Sequence, residues 1–270
     1  MANVSTLMSG LTIRCVECTL HFNQPAPIRP LATATLRGLA GDLLKSNHPE
    51  FVLRWFKPGD HNHLPPAYLF EAIIHEFTSG ESLPFKIRTW DPHGELLPAF
   101  RDSFTHSRDR PFGESGAKVA KVVLGEIEPW SFEQRYRSNP RTRLEFLTPV
   151  RLKASGRFLD DEEITLGHVV EAAVRRLDDL SDHYGNRTKL DKPPLLAAAS
   201  KVRETSRSLR SIRASRLSST QGTYIDLSGV TGQIRFVDLP GVLVDVLSAA
   251  TVFHIGHSTA EGCGEFRLSG

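Results

Sequence analysis

The segment His254-Ile255-Gly256-His257-Ser258-Thr259-Ala260-Glu261-Gly262-Cys263-Gly264-Glu265-Phe266 carries three glycines just ahead of the final apolar residues. Glycines at this spacing let a backbone approach a ligand closely and aim several N–H groups at a phosphate. An ordinary turn between a helix and an edge strand would use the same residues. A second run with chemical potential is Lys201, Arg203, Arg207, Arg210, Arg213 and Arg216, against which Glu204 stands alone. Guanidinium forks suit bidentate phosphate contact, although a solvated surface has the same composition.

Other constellations are thinner. Cys15-Val16-Glu17-Cys18 is followed by His21, but a zinc site needs a second ligand pair that the chain lacks. On a strand the two cysteines would lie on opposite faces, so burial is the preferred reading. His61-Asn62-His63 precedes Pro65-Pro66 and reads as loop, and no metal site is assigned there. Asp160-Asp161-Glu162-Glu163 sits where a helix begins and is read as capping and solubility.

These residues need elements to hold them. The 270 residues are 40% hydrophobic and 24% charged, with 33 Lys+Arg against 31 Asp+Glu, which excludes disordered, collagen-like and disulfide-stapled classes. The net charge of +2 excludes a uniformly basic chain, yet it hides +5 over 171–221 and −3 over 222–270. Three cysteines fit a reducing compartment. With no charged-then-apolar opening segment and no long apolar run, a soluble cytoplasmic protein is expected, with no membrane role.

Leu11 to Phe22 alternates as a strand, and Pro25, Pro27 and Pro30 are expected to break it before a helix over Thr33–Ser46. Extended runs follow at Ala67–Phe77 and Phe85–Trp90, then a helix at Leu96–Phe104 and a strand at Ala117–Ile127. This is the βαββαβ order of a ferredoxin-like domain. The order recurs with a strand at Leu144–Leu152, a helix at Ile164–Leu180 and a hairpin of Tyr224–Leu227 with Gln233–Val237 around Gly229 and Gly232. A helix over Pro240–Ala250 and a strand over Gly264–Leu268 complete it. The expected fold is α+β, with tandem ferredoxin-like domains over 1–140 and 141–270. Between helix and hairpin lies an apparent insertion, 182–221, in which Leu195–Ser215 is read as a basic helical finger. On such a helix Arg203, Arg207 and Arg210 would share one face, with Val202, Leu209 and Ile212 towards the other.

The carboxyl-terminal pattern resembles the repeat-processing endoribonucleases of CRISPR systems, the Cas six family of RAMP proteins, whose glycine-rich loop reads G-φ-G-x5-G-φ-G. The match falls on Ile255, Gly256, Gly262, Cys263 and Gly264 with five residues between. His254 stands where the family has its first glycine, and the five intervening residues hold no Lys or Arg. Thr148-Pro149-Val150-Arg151-Leu152-Lys153, Arg175-Arg176-Leu177, Tyr184-Gly185, Ser218-Ser219-Thr220-Gln221-Gly222 and Gly229-Val230-Thr231-Gly232 follow the family's order. The first half matches more loosely, through Leu36-Arg37-Gly38-Leu39-Ala40-Gly41. A basic helical finger would also be similar to type IV members.

The resemblance implies an enzyme that binds a CRISPR repeat hairpin and cuts the precursor RNA without metal or cofactor, leaving 2′,3′-cyclic phosphate and 5′-OH ends. It also implies retention of the mature guide RNA (crRNA) and docking with other Cas effector subunits; the alternative is a non-catalytic RAMP subunit that binds guide RNA. Such a reaction needs a base near the 2′-OH, cations around the phosphorane and a proton donor for the leaving oxygen. By family position the base is His48, after the first helix, with Lys45, Arg37 and Arg29 as charge stabilisers and Arg235 a further alternative. His48 also suits a helix end for purely electrostatic reasons. RNA contacts are expected from Arg203, Arg207, Arg210, Arg213, Arg216 and Arg235, and from His254, Gly256, His257, Gly262 and Gly264.

Overall fold

Alternating burial along residues 13–22 and helical spacing of Leu36, Leu39 and Leu43 set the first sheet and its first helix. The computed structural model describes residues 3–28, 31–52, 65–72, 78–113, 116–131, 141–217 and 223–270. After a short helix α1 (Val4–Ser9) come β1 (Ile13–Ile28), α2 (Ala32–Asn47), a single turn α3 (Pro49–Phe51), β2 (Tyr68–Ala72), β3 (Thr78–Thr89), α4 (Leu96–Thr105), β4 (Val119–Leu124) and β5 (Glu128–Trp130). The strands form an antiparallel sheet in the order β2-β3-β1-β4, with β5 on the start of β1. That is the ferredoxin-like arrangement.

Val16, Cys18 and Leu20 stand opposite Ile87, Phe85 and Leu83 on the core face, all buried. Cys15 pairs with Arg88 on the other face, so the two cysteines of the C-x-x-C do point apart. Tyr68, Phe70, Phe85, Phe100 and Phe104 fill the core, their rings largely edge-on at 5.3 to 5.8 Å for Phe70–Phe100 and Tyr68–Phe70. The strand expected to stop before Pro25 runs on through Pro25 and Pro27 to Ile28, with its register against β3 shifted between His21 and Ala26. Proline lacks a ladder donor and is tolerated where pairing is already interrupted. Of the run expected over 67–77, residues 68–72 are strand and Ile74 lies outside the described residues.

The second sheet is built from β6 (Arg141–Val150), β9 (Arg203–Ile212), β12 (Gly229–Val237) and β13 (Phe266–Ser269), in the order β13-β6-β12-β9. It repeats the topology of the first. Around it lie a small hairpin β7 (Lys153–Ala154) and β8 (Arg157–Phe158), helices α5 (Leu166–Tyr184), α6 (Lys192–Ala199) and α7 (Gly241–Ala250), and a distal hairpin β10 (Ser215–Leu217) and β11 (Tyr224–Asp226). Helices α5 and α7 pack together, and their buried leucines and valines join Leu144, Phe146, Ile234 and Phe236 in the core.

Two expectations fail here, for one reason. The basic helical finger is no helix: α6 ends at Ala199, and Arg203–Ile212 is strand β9, hydrogen-bonded along β12 from Arg203↔Val237 to Gly229↔Ile212. It is the second strand of the ferredoxin-like sheet rather than an insertion. The expected partner of Gln233–Val237, Tyr224–Leu227, pairs instead with Ser215–Leu217. The segment's serines, threonine and β-branched residues have little helical preference, and β12 supplied the backbone partners that decided it. The likeness to type IV members through a helical finger falls with the helix.

The chain divides into two compact units, Leu11–Ser131 with Ala260–Gly262, and Met1–Gly10 with Phe132–Thr259 and Cys263–Gly270. Thus α1 groups with the second sheet's unit. Among the described residues no helix is long and apolar enough to cross a membrane.

Candidate active site

His48 caps the carboxyl end of α2 through its own N–H, which donates to the Leu44 carbonyl at 2.7 Å. Its imidazole Nε2 lies 2.9 Å from Asp102 Oδ2, on α4, and Nδ1 lies 3.5 Å from Glu50 Oε1. The ring meets Phe51 edge-on at 5.9 Å and stays 27% exposed. Both carboxylates are exposed, Asp102 by 58% and Glu50 by 65%, but only the contact to Asp102 is of ordinary hydrogen-bond length. Asp102 thus holds the Nε2 edge of the ring, and the Nδ1 edge faces Glu50 at longer range. Asp102, 54 positions from His48, has no sequence signature; only the packing of α2 against α4 brings it there.

Lys45 is exposed, one turn before His48. Arg37 is on the same helix but roughly 16 Å away at the α-helical rise, so the two do not act on one phosphate. Arg37 is committed elsewhere: Nη1 meets Glu261 Oε1 at 2.8 Å and Nε donates to the Tyr68 hydroxyl at 3.0 Å. Its expected role as a charge stabiliser beside His48 is corrected accordingly. Arg29 lies outside the described residues.

The glycine-rich loop is tightly folded. His254, Gly256, Ser258, Gly262 and Gly264 all have positive φ, from +58° to +87°. A Cβ at Gly256 would come within 2.6 Å of the Arg151 carbonyl, and one at Gly264 would overlap the Ile255 carbonyl. His254, at φ +58°, occupies the family's glycine position in the left-handed region, which histidine enters more readily than most side chains. Four of the loop's N–H groups are already engaged: those of Ile255, His257, Cys263 and Gly264 donate to the Gly264, Arg151, Ser258 and Pro149 carbonyls. His254, Gly262 and Gly264 are buried, so they do not offer the direct RNA contacts expected of them. Within the unit that includes Ala260–Gly262, Thr33 Oγ1 donates to the Glu261 carbonyl at 3.1 Å.

The arginines of β9 do not share a face. Arg207 registers with Ile234 on the core side, Arg210 with Thr231 and Arg203 with Val237 on the opposite side. Arg207 makes two 2.7 Å contacts to Glu204 and reaches the Asp161 and Glu162 carbonyls at 3.3 Å. The acidic run thus anchors β9, while Thr165 caps α5 through a capping box with His168. Opposite the helices, Arg203, Arg210, Arg235 and Arg267 are exposed, with Arg143 half-buried beside Glu145. Glu145 also pairs with Arg267 at 2.8 Å. Arg213 is exposed and Arg216 half-buried on the distal hairpin.

Two ferredoxin-like sheets thus follow one another along the chain, the second carrying a glycine-rich turn ahead of its last strand. Residues 144–266 match the model of the family described as CRISPR-associated endoribonuclease Cas6. No curated protein matches the chain. Among solved structures, a Cas6 product complex is 17% identical with a TM-score of 0.62, covering 96% of this chain and 99% of that one. Thermus thermophilus Cas6 is 15% identical with a TM-score of 0.61, over 96% and 99%. A partial Cas6-RT-Cas1–Cas2 complex is 10% identical with a TM-score of 0.62, over 97% of this chain and 47% of that one. Residues 144–266 are thus similar to the Cas6 family, and the whole chain shares the fold of these Cas6 structures.

Proposed function

We propose that the protein is an endoribonuclease that processes CRISPR repeat RNA, with His48 as the proton-transfer residue and Asp102 positioning it. The observation that carries the reading is His48 at the end of the first ferredoxin helix, fixed at 2.9 Å by Asp102 with its second nitrogen against an exposed carboxylate, in a chain whose residues 144–266 match Cas6. In the proposed step the imidazole takes the 2′-OH proton as that oxygen bonds to the adjacent phosphorus. The bond to the 5′-oxygen breaks, and that oxygen leaves as a hydroxyl, taking its proton from the imidazolium just formed or from water. The products are a 2′,3′-cyclic phosphate and a 5′-OH. Lys45 supplies positive charge next to the ring, and the basic sheet face of Arg203, Arg210, Arg235 and Arg267 supplies sequence-independent attraction for RNA backbone.

The test is incubation of the purified protein with end-labelled repeat-hairpin RNA in EDTA. One cut, ending in cyclic phosphate, is expected. RNA that is bound but never cut would overturn the enzyme reading and leave a non-catalytic guide-RNA subunit; RNA neither bound nor cut would overturn both.

A further inference from the structure

The hairpin β7–β8 presents Phe158, one of the few large apolar side chains among the described residues left open to solvent, with 40% of its surface exposed. Three basic or imidazole groups converge on this one ring. The Arg151 guanidinium carbon lies 4.4 Å from the ring centroid, the Lys153 ammonium 4.6 Å, and the His257 ring 5.5 Å away and nearly perpendicular at 89°. Arg151 is only 6% exposed, meets Asp226 at 3.4 Å and donates to the Ser228 carbonyl at 2.8 Å, so it holds the ring from the protein side. Lys153 is exposed and can swing away. His257 is set in place from below: its N–H donates to the Arg151 carbonyl at 3.0 Å, an approach that requires glycine at position 256.

The local charge is unbalanced. Asp226 answers Arg151, but among the described residues neither Lys153 nor Arg175 is in an ion pair, and both act on His257. Partial burial first, and then the Lys153, Arg175 and Arg151 charges, hold the His257 imidazole below the ordinary histidine range. Near neutral pH the ring is thus an uncharged group that both donates and accepts a hydrogen bond. An exposed aromatic face, a Lys153 ammonium outside any ion pair and a neutral imidazole within one small surface suit a planar base carrying a phosphate. A bare anion would leave the aromatic ring unused, and an apolar ligand would leave the cations unanswered.

We propose that Phe158, with Lys153, Arg175 and His257, forms a subsite that stacks one unpaired nucleobase of an RNA ligand and holds its adjoining phosphate. The inference rests on the RNA-binding reading above and adds to it a position for a single nucleotide in the unit that holds the second sheet. The base lies on Phe158 in the place of the Lys153 ammonium, which moves with Arg175 onto the phosphate.

Titration of the full chain with adenosine 5′-monophosphate, adenosine and inorganic phosphate, followed by NMR of the His257 and Phe158 ring protons, tests this. The nucleotide is expected to bind more tightly than either fragment and to raise the pH at which His257 titrates. Phe158→Leu is expected to weaken the nucleotide about 5- to 150-fold, the measured range for one base–aromatic stack, and to leave inorganic phosphate unchanged. Phe158→Tyr should restore binding, and Lys153→Ala with Arg175→Ala should weaken both nucleotide and phosphate. A nucleotide that binds no better than phosphate, or equally well to Phe158→Leu, overturns the subsite. That failure is separate from the cleavage assay: repeat RNA cut by the wild-type protein, with no nucleotide binding to it, removes the subsite alone. Nucleotide binding as expected, with repeat RNA neither bound nor cut, supports the subsite and removes the proposed function.

Discussion

His48 is held by Asp102 on one side and touched by Glu50 on the other, a pairing in which a carboxylate orients an imidazole for proton transfer. Under single turnover His48→Ala is expected to lose about 10²- to 10⁴-fold in cleavage rate, the usual share of general acid–base catalysis. Asp102→Asn keeps the shape and loses the charge, so its loss should be smaller, in kcat rather than in KM. Glu50→Gln should be close to wild type. Equal rates for His48→Ala and wild type would move catalysis to the arginines and lysine. His257 gives a second expectation at this scale. Its folded titration is depressed by burial and by Lys153, Arg175 and Arg151, so the unfolded chain binds the proton more readily. Stability from this group is therefore fully present above its ordinary value of about 6.5 and is lost as pH falls through the lower folded value. Lys153→Met should raise the NMR titration midpoint of His257 and reduce that acid-side loss.

Strand β9 and the glycine loop are where element and chemistry meet. On β9, Arg203 and Arg210 lie on the sheet face away from the helices, whereas Arg207 is tied to Glu204 and to the 161–162 backbone. Arg203→Glu with Arg210→Glu is expected to weaken RNA binding and to lower the slope of log K against log salt by about 0.7 to 0.9 for each phosphate the protein no longer neutralises. Arg207→Gln should leave that slope alone and lower the unfolding midpoint. Filter binding across a salt series and urea melts separate the two. In the loop, Gly256→Ala must place a Cβ 2.6 Å from the Arg151 carbonyl at φ +84°. A loss of about 1 to 3 kcal/mol in unfolding free energy is expected. The glycines that stand out in the sequence of this loop let the chain close on itself against Pro149 and Arg151, whose carbonyls accept from Gly264 and His257. The misplaced finger has a comparable origin. Three apolar residues, Val202, Leu209 and Ile212, fit a helical stripe and a strand edge equally, and only the open side of β12 decided between them.

Across the molecule, two βαββαβ sheets account for the described chain, and all three thiols are enclosed within it. Burial pushes the Cys18 thiol up to about 12 and raises Cys15 as well. Native protein should therefore react with Ellman's reagent at none of its cysteines at pH 8, and denatured protein at three; rapid reaction of the native protein would contradict the described packing. The order of elements in the first sheet and the ferredoxin-like class were legible in the chain because apolar periodicity is a local property. So was the helix ending just before His48. Sequence alone did not reveal that Asp102 meets His48, that Glu261 draws Arg37 away from it, or that Arg151, Lys153 and His257 gather on Phe158. Those pairings join residues far apart in the chain, and charge and hydrogen-bond partners are chosen by proximity after the sheets have formed. The sequence by itself determined which residues could bind or move a proton; the tertiary structure decided which of them stand together, because a side chain's chemistry depends on the neighbours that folding gives it.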